Sequence, residues 1–365
     1  MKIGIYAGTI PPPVFINNLI NGLADKGDIV FIYGKVIEKK YKFSNSGIIQ
    51  RKFPTTQIGI FLYSIYALSK LIIMQPQLYL TIVKMLRQNS TNWIQFLKRS
   101  CRVLPPFLDN LDIFHIQWAK TLVYYPEFIE KLQCPVVLSL RGSQINYSPI
   151  ADKNLAQGYM KYFPKVSGFH AVSSAIGKKA ENYNAKPQNI TVIHPAVTEE
   201  FLNYKLNKVK KKLGSETLNI ISVGRCHWIK GYTFALDTMA LLKQEGVQFH
   251  YTIVAGGRDD ENIHYQIYDL GLTENVTFIN GLSHEKVIDI VSNSTLLLLP
   301  SVEEGISNAV LEAMAWGVPV ISTDCGGMGE VIRNSENGFL VPVRDSASMA
   351  KAIQNFIDLD EMEKN

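Results

Sequence analysis

Short apolar runs and longer amphipathic segments alternate along most of the chain. The apolar runs are four to six residues long and lie at positions 3–6, 29–33, 111–116, 136–140, 190–193, 218–223, 249–254, 276–281, 296–299 and 318–322. The segments between them, such as 14–26 and 232–245, place apolar residues at helical spacing. Because continuous apolar runs of this length are typical of strands that are buried on both faces, the pattern predicts the α/β class with parallel sheets.

A polar, lysine-rich stretch at 199–216 divides this pattern into two parts. The chain has 365 residues, which is too long for one typical domain and fits two. We therefore predict an N-terminal domain over 1–198, a linker over 199–216 and a C-terminal domain over 217–365. The net charge of +5 hides an asymmetry, since residues 1–216 carry 28 basic and 12 acidic side chains whereas residues 217–365 carry 9 and 20. Such an imbalance predicts different partners for the two halves, and the acidic half argues against nucleic acid as a partner.

The cysteines and glycines exclude several classes of site. Cys101, Cys134, Cys226 and Cys325 lie far apart and form no Cys-x-x-Cys or Cys/His cluster, so neither a zinc site nor a disulfide framework is indicated. The first strand is followed by no Gly-x-Gly-x-x-Gly fingerprint, which argues against a nicotinamide cofactor. Reduced thiols and a start without a signal-peptide pattern lead us to expect a cytoplasmic protein.

The most informative stretch of the chain runs from residue 300 to residue 323. An apolar strand at 296–299 leads into a loop, and a helix follows that ends at Gly317. Free N–H groups and the positive helix end make such a loop a phosphate site. Glu304 in the loop and Glu312, which lies off the packing stripe of the helix, can line one crevice where they accept hydrogen bonds from sugar hydroxyls. The loop residues we expect to contribute are Gly305, Ile306, Ser307 and Asn308, with Ser307 or Asn308 as the N-cap.

A second candidate site follows the strand at 218–223. Gly224 and Gly231 let the backbone turn, and Arg225 and Lys230 lie between them. A diphosphate leaving group develops negative charge, which fixed cations stabilise. After the next strand, Gly256 and Gly257 would allow the close approach of a base or ribose; the alternative is a plain turn.

The segment of about 55–108 is rich in basic and aromatic residues. No Asp or Glu occurs between Glu38 and Asp109, whereas eleven basic residues do. Cationic helices of this kind are attracted to anionic membranes, so we predict a basic helical insertion that docks on the cytoplasmic membrane face. Two alternatives stay open. One is a membrane span over 58–74, which is short and polar-interrupted, and the other is an ordinary basic insertion.

The stretch 300–323 resembles the Glu-x7-Glu motif of the GT-B glycosyltransferases, specifically retaining family 4, the glycosyl transferases group 1. The match runs from Pro-Ser-x-x-Glu-Gly through Leu-Glu-Ala-Met-Ala to Gly-x-Pro-Val-Ile, and residues 224–231 are similar to the family's Gly-Arg-x-x-x-x-Lys-Gly signature. The resemblance implies two Rossmann-like domains facing a cleft, with a UDP- or GDP-sugar on the C-terminal domain and the acceptor on the N-terminal one. It further implies that Arg225 and Lys230 hold the diphosphate, Glu304 the donor sugar and Glu312 the ribose, with no metal or other cofactor required.

The resemblance is looser in the N-terminal half. The family's first loop faces the acceptor and the donor phosphate; here Gly8 and Thr9 match it, ahead of three prolines. Arg141 stands where relatives often have a histidine near the transferred sugar, and His115 resembles a family position on the preceding strand. An arginine cannot act as a base, but it can hold a phosphate or orient a hydroxyl. A structural ion pair for Arg141 and a packed histidine at 115 are the alternatives.

These observations lead to one expected function and two alternatives. The expected function is a retaining transfer of a hexose-type sugar to a lipid-linked saccharide or polysaccharide, as in bacterial surface-polysaccharide synthesis. The first alternative is a non-catalytic nucleotide-sugar-binding partner of a membrane assembly complex. The second alternative is a transferase for a soluble acceptor, which would leave the acid-free basic segment unexplained.

Overall fold

The computed structural model describes residues 1–197, 202, 217–257 and 259–359. Contacts divide the chain into two compact units. The first comprises Met1–Val172 and Ile176–Ile193, and the second comprises Ser173–Ala175 and the chain from His194 onward. The linker predicted at 199–216 lies outside the described residues, except for residue 202.

The first unit is built on a parallel sheet of seven strands. In chain order these are β1 Lys2–Ile10, β2 Ile29–Val36, β3 Ile48–Phe53, β4 Ile113–Ile116, β5 Val136–Leu140, β6 Gly168–Ala171 and β7 Ile190–Val192. Their spatial order is β3-β2-β1-β4-β5-β6-β7, and every neighbouring pair is parallel. The order reverses at β1, so the carboxyl ends of β1 and β4 form a topological switch point, where open α/β sheets bind ligands.

Helices cover the sheet of the first unit and fill its core. They are α1 Val14–Asp25, α2 Gln57–Met74, α3 Pro76–Gln88, α4 Trp93–Val103, α5 Pro105–Leu108, α6 Ala119–Tyr124, α7 Glu127–Lys131, α8 Ser143–Asn146, α9 Ser148–Ala151, α10 Lys153–Tyr162 and α11 Ser174–Glu181. The segment predicted as a helical insertion therefore forms α2 to α5. Ala67, Leu71, Ile82, Leu86 and Phe96 from these helices are buried in one cluster with the strands, so this segment is part of the unit's core.

The second unit is built on a parallel sheet of six strands. Its strands are β8 Leu218–Arg225, β9 Phe249–Gly256, β10 Val276–Asn280, β11 Leu296–Leu299, β12 Val320–Thr323 and β13 Phe339–Val341. Its helices are α12 Tyr232–Gln244, α13 Glu261–Asp269, α14 His284–Ser292, α15 Asn308–Ala315 and α16 Ser346–Asp358. The strand order β10-β9-β8-β11-β12-β13 reverses between β8 and β11, which makes the carboxyl ends of these two strands the switch point. The α/β class with two parallel-sheet domains is thus confirmed.

Several predicted boundaries in the first unit are wrong. Strand β1 is longer than the apolar run at 3–6, because it continues through Gly8 and Thr9 to Ile10 with a register shift after Tyr6. Strand β3 was not expected, since only its ends are apolar and its middle, Gln50-Arg51-Lys52, is polar at the edge of the sheet. The segment between the runs 111–116 and 136–140 forms two helices separated at Pro126, because proline disfavours a helical conformation in the residue before it.

Candidate functional site

Gly224 and Arg225 lie at the carboxyl end of β8, at the switch point of the second unit. Gly224 pairs with Ala255 and Arg225 pairs with Gly256 on β9, so Arg225 is the last residue of the strand. On its other side, β8 pairs with β11. The exposed Arg225 side chain therefore starts at the edge where the loops after β8 and β11 emerge.

Lys230 and Glu304 form an ion pair at this edge. Lys230 ends a short 3-10 turn, Trp228–Lys230, and its Nζ lies 2.5 Å from Oε1 of Glu304. The Ser301 hydroxyl donates a second hydrogen bond to the same oxygen, at 3.0 Å. Both charged side chains are mostly buried, at 15% and 16% exposure, which strengthens their attraction relative to a surface pair. The sequence predicted both residues for the donor site, and the structure places them in direct contact.

Two glycines, Gly224 and Gly231, allow the loop after β8 to pack closely against the end of β11. A Cβ on Gly231, whose φ is +66°, would lie 2.0 Å from the Pro300 carbonyl oxygen. A Cβ on Gly224 would lie 2.8 Å from Cε of Lys230 and 2.9 Å from the Tyr232 hydroxyl. The lysine side chain thus runs across the end of β8, and only glycine leaves room for it there.

Tyr232 is a residue of this site that sequence reasoning missed. Its hydroxyl is buried and has no hydrogen-bond partner among the residues that the structure describes. Burial raises the pKa of this hydroxyl, and the nearby Tyr251, Cys226 and Glu304 raise it further. A buried hydroxyl without a partner is a group that a bound ligand can satisfy.

The loop from Glu304 to Asn308 leads into α15, as predicted. Ser307 is the N-cap residue, but its side chain makes no capping hydrogen bond, which leaves first-turn N–H groups for another acceptor. Gly305, Ile306 and Ser307 are buried, and Asn308 is exposed. The loop is braced from behind by a turn that the sequence did not reveal. Gly327 donates to the Gly305 carbonyl at 2.8 Å, and a Cβ on Gly326 would lie 1.8 Å from the Glu304 carbonyl oxygen.

Glu312 lies in the second turn of α15 and is linked to a different partner. Its Oε1 is 3.4 Å from Nε2 of His284, the first residue of α14. Burial raises the pKa of the Glu312 carboxyl, and His284 opposes this shift. Glu312 thus contacts His284, whereas Glu304 contacts Lys230 and Ser301.

The two glycines at the end of β9 have free space where a side chain would be. Gly256 and Gly257, the latter with a φ of +110°, would each carry a Cβ with no atom within 4 Å. No residue that the structure describes requires glycine at 256 for space, so the close approach predicted there would have to come from a ligand. Among the residues that the structure describes, no group of three or more His, Cys, Asp or Glu side chains is arranged to hold a metal ion.

The N-terminal candidates occupy the first unit. Gly8 has a φ of +86° within β1, and Thr9 follows it in the strand. His115 is hydrogen-bonded within the sheet. Its Nε2 is 2.9 Å from the Ser139 hydroxyl, which lies 3.0 Å from Nδ1 of His170. Burial lowers the pKa of His115 to about 3, and the charges of His170 and Arg141 add to this effect. The neutral ring therefore belongs to a hydrogen-bonded chain across β4, β5 and β6.

The loop expected after β5 is partly helical. Arg141 follows the strand directly, and α8 begins two residues later. Nη2 of Arg141 donates to Oε1 of Gln117 at 3.1 Å, and the guanidinium lies 4.4 Å from the centre of the Phe15 ring. Among the described residues, no carboxylate pairs with Arg141, so the structural ion pair considered as an alternative is not present.

Comparisons with known proteins agree with this geometry. Residues 204–365 match the family model "Glycosyl transferases group 1". An uncharacterized glycosyltransferase from Haemophilus influenzae is 30% identical over 252 residues, which is 65% of this chain and 70% of the relative. The chain belongs to the group 1 glycosyltransferases. Membership of retaining family 4 within that group stays a prediction.

The chain is also similar to one named relative and to one solved structure. The amylovoran biosynthesis glycosyltransferase AmsK of Erwinia amylovora is 27% identical over 251 residues, and the match covers 67% of this chain but only 60% of AmsK. The solved structure of Anabaena HepE in complex with UDP has a TM-score of 0.66 at 18% identity and covers all of this chain and 91% of that one. The latter likeness concerns the fold alone, and the GT-B fold class predicted from the sequence is confirmed.

Proposed function

We propose that this glycosyltransferase moves a hexose-type sugar from a UDP- or GDP-sugar, with retention of configuration, to a lipid-linked saccharide or polysaccharide of the bacterial surface. The observation that carries the proposal is the Lys230–Glu304 pair, fixed at the switch point of the second unit between Arg225 and the N-terminus of α15. The amylovoran role in the name of AmsK and the UDP bound to HepE support the polysaccharide product and the nucleotide donor.

The cations and the helix end would hold the donor diphosphate. Arg225 supplies a planar fork of donors, Lys230 a compact charge, and the uncapped first turn of α15 free N–H groups. These groups stabilise the charge that develops on the leaving diphosphate, so the reaction needs no metal ion. Tyr232 can donate its unsatisfied hydroxyl to the same anion.

The two carboxylates would position the sugars of the donor. Carboxylate oxygens accept hydrogen bonds from hydroxyls, so Glu304 would hold the donor sugar and Glu312 the ribose. Lys230 and Ser301 fix the Glu304 side chain before the substrate arrives, which reduces the reorganisation needed for binding. His284 does the same for Glu312.

The chemical step would use the substrate itself as the base. The bond between the anomeric carbon and the diphosphate oxygen breaks, a bond from the acceptor oxygen forms on the same face, and the acceptor proton moves to the leaving diphosphate. Arg141 cannot accept a proton at neutral pH, and His115 is hydrogen-bonded within the sheet. This leaves the phosphate oxygen as the acceptor of the proton.

The first unit carries a surface that fits an anionic membrane. Helix α2 is long and apolar enough to cross a membrane by length and composition, and 17% of it is buried in the protein. One stripe of this helix is exposed and apolar, and it consists of Ile58, Phe61, Leu62, Ile65, Tyr66, Ile72 and Ile73. Of the eleven basic residues between Glu38 and Asp109, Arg51 and Arg99 form ion pairs with Asp109 and Glu127. An apolar stripe next to the other cations favours docking at the lipid interface, where the acceptor would be anchored.

Replacing Phe61 and Ile65 together by serine is expected to weaken membrane binding by at least about tenfold, because each apolar side chain contributes roughly 1.5–3 kcal/mol when it is buried. The measurement is co-sedimentation with vesicles of phosphatidylglycerol and phosphatidylcholine at low and high salt. Unmodified protein should bind the anionic vesicles and be partly released by salt, which screens the lysines and arginines. Tyr268→Ser, at an exposed aromatic residue of the second unit, is the control. Equal binding of the double variant and the unmodified protein would contradict the docking surface.

The proposed function is tested by a panel of UDP- and GDP-sugars. One nucleotide sugar should raise the unfolding temperature. At a ligand concentration of a hundred times its dissociation constant, binding adds about 2.7 kcal/mol to the free energy of unfolding. The same compound should be hydrolysed slowly without an acceptor. Binding without hydrolysis would favour the non-catalytic alternative, and the absence of binding throughout the panel would contradict the proposal.

A further inference from the structure

Arg141 lies at the carboxyl end of β5, beside the switch point of the first unit, and no carboxylate pairs with it among the residues that the structure describes. It follows β5, and its guanidinium lies over the face of Phe15 while Nη2 donates to Gln117. Nε of Arg141 is buried and has no hydrogen-bond partner among the described residues. Burial lowers the pKa of Arg141 to about 10, and no carboxylate acts in the opposite direction.

The residues around Arg141 do not compensate its charge. The charge of Arg141 contributes to lowering the pKa of both His115 and His170, which face it from β4 and β6. The contact with the Phe15 ring is attractive but supplies no acceptor atom. A largely buried charge without an ionic partner is unfavourable, so a bound anion would stabilise the side chain in this position.

Gln117 gives a second, independent indication of a ligand. Its side chain is 0% exposed, its Oε1 accepts from Arg141, and its Nε2 has no partner within the described part of the chain. Nε of Arg141 and Nε2 of Gln117 are both hydrogen-bond donors. A group that satisfies both donors is a hydrogen-bond acceptor, and an anionic acceptor also compensates the positive charge of Arg141, whereas a cation or an apolar ligand does neither.

We propose that Arg141 and Gln117 bind an anionic group of the acceptor, a phosphate or a carboxylate. This inference rests on the proposed function and deepens it, because it makes the acceptor an acidic or phosphorylated saccharide. The donor diphosphate already has two cations, Arg225 and Lys230, in the second unit. Arg141 belongs to the other unit, the one that the resemblance assigns to the acceptor.

The experiment measures binding of inorganic pyrophosphate and of acetate to the full chain by calorimetry. An Arg225→Ala background weakens the anion site of the second unit. In that background, adding Arg141→Gln should lower pyrophosphate affinity by at least about tenfold, since a hydrogen bond to a charged group contributes roughly 1.5–3 kcal/mol. In the same background, Arg141→Lys should give a pyrophosphate affinity between those of the proteins with arginine and with glutamine at position 141. Gln117→Met should also weaken pyrophosphate binding. Equal pyrophosphate affinity with and without Arg141→Gln would overturn the site.

The unfolding temperature, as a second readout, shows whether the variants still fold. Arg141→Gln removes an uncompensated buried charge, so its unfolding temperature without ligand should be equal to or above that of the unmodified protein. Pyrophosphate should raise the unfolding temperature of the Arg225→Ala protein and no longer do so when Arg141→Gln is added. A large drop in unfolding temperature without ligand would mean that Arg141 is a structural residue and would overturn the proposal.

The affinity for the donor nucleotide distinguishes the two sources of the anion. If the anion belongs to the acceptor, Arg141→Gln lowers the affinity for pyrophosphate much more than the affinity for UDP or GDP. A parallel loss of nucleotide affinity would assign Arg141 to the donor diphosphate and overturn the acceptor assignment. Failure of the proposed function looks different: no nucleotide binds to any variant, while pyrophosphate binding still depends on Arg141.

Discussion

Replacing Arg225 or Lys230 by alanine is expected to lower turnover by roughly a hundred- to a thousandfold. Removing one fixed donor from a site where transition-state charge develops costs about 3–4 kcal/mol in other enzymes. Arg225 ends β8 at the switch point, and Lys230 is held 2.5 Å from Glu304 at the same edge. The loss should be mainly in kcat, since the leaving diphosphate carries more charge in the transition state than in the bound donor.

The two substitutions differ in a second respect. Lys230→Ala leaves the mostly buried Glu304 without its cation, so it should also lower the free energy of unfolding, by several kcal/mol at most. The Lys230→Ala, Glu304→Gln double variant should recover part of that stability without recovering activity. Arg333→Ala is a matched control, since Arg333 is a highly exposed arginine of the same unit that pairs with Glu336. Near-native turnover of Arg225→Ala and Lys230→Ala would remove both residues from the catalytic assignment.

Gly231→Ala is expected to weaken donor binding strongly while the rest of the second unit stays folded. The added methyl group would lie 2.0 Å from the Pro300 carbonyl oxygen, and a φ of +66° is itself unfavourable for alanine. The loop after β8 must therefore move away from β11, which carries Lys230 away from Glu304. We expect at least about a tenfold loss of nucleotide affinity and a fall in unfolding temperature of several degrees.

A control substitution at a second glycine separates the effect of the positive φ from the effect of the steric clash. Gly246, just after α12, has a φ of +79°, and a Cβ there would meet no atom within 4 Å. Gly246→Ala should therefore cost about 1 kcal/mol of stability without changing nucleotide affinity. Equal nucleotide affinities in Gly231→Ala and Gly246→Ala would show that the contact with Pro300 does not position the site.

The sequence predicted the regular parts of both sheets because their signal is local. Runs such as 218–223, which is mostly apolar, and 296–299, which is apolar throughout, became the strands β8 and β11. Strand β3 escaped detection because an edge strand buries little and carries a polar middle. The extension of β1 through Gly8 was hidden by the three prolines that follow, since proline is normally read as the end of a strand.

The candidate site was predictable only in part, for the same reason. The glycine-flanked cations and the two spaced glutamates are local patterns, and they identified Arg225, Lys230, Glu304 and Glu312. The direct pairing of Lys230 with Glu304 depends on how β8 and β11 lie side by side, which no local spacing encodes. His284, Tyr232 and the bracing turn at Gly326–Gly327 come from other segments and are brought in by the tertiary fold.

The most direct measurement is hydrogen–deuterium exchange of the full chain with and without the nucleotide sugar that the panel identifies. The account predicts slower exchange in two segments together, residues 224–231 and residues 304–312, because one bound nucleotide sugar would contact both loops at the switch point of the second unit. Slower exchange in only one of these segments, or in neither while the nucleotide is bound, would contradict the proposal that Arg225, Lys230, Glu304 and Glu312 bind a single donor.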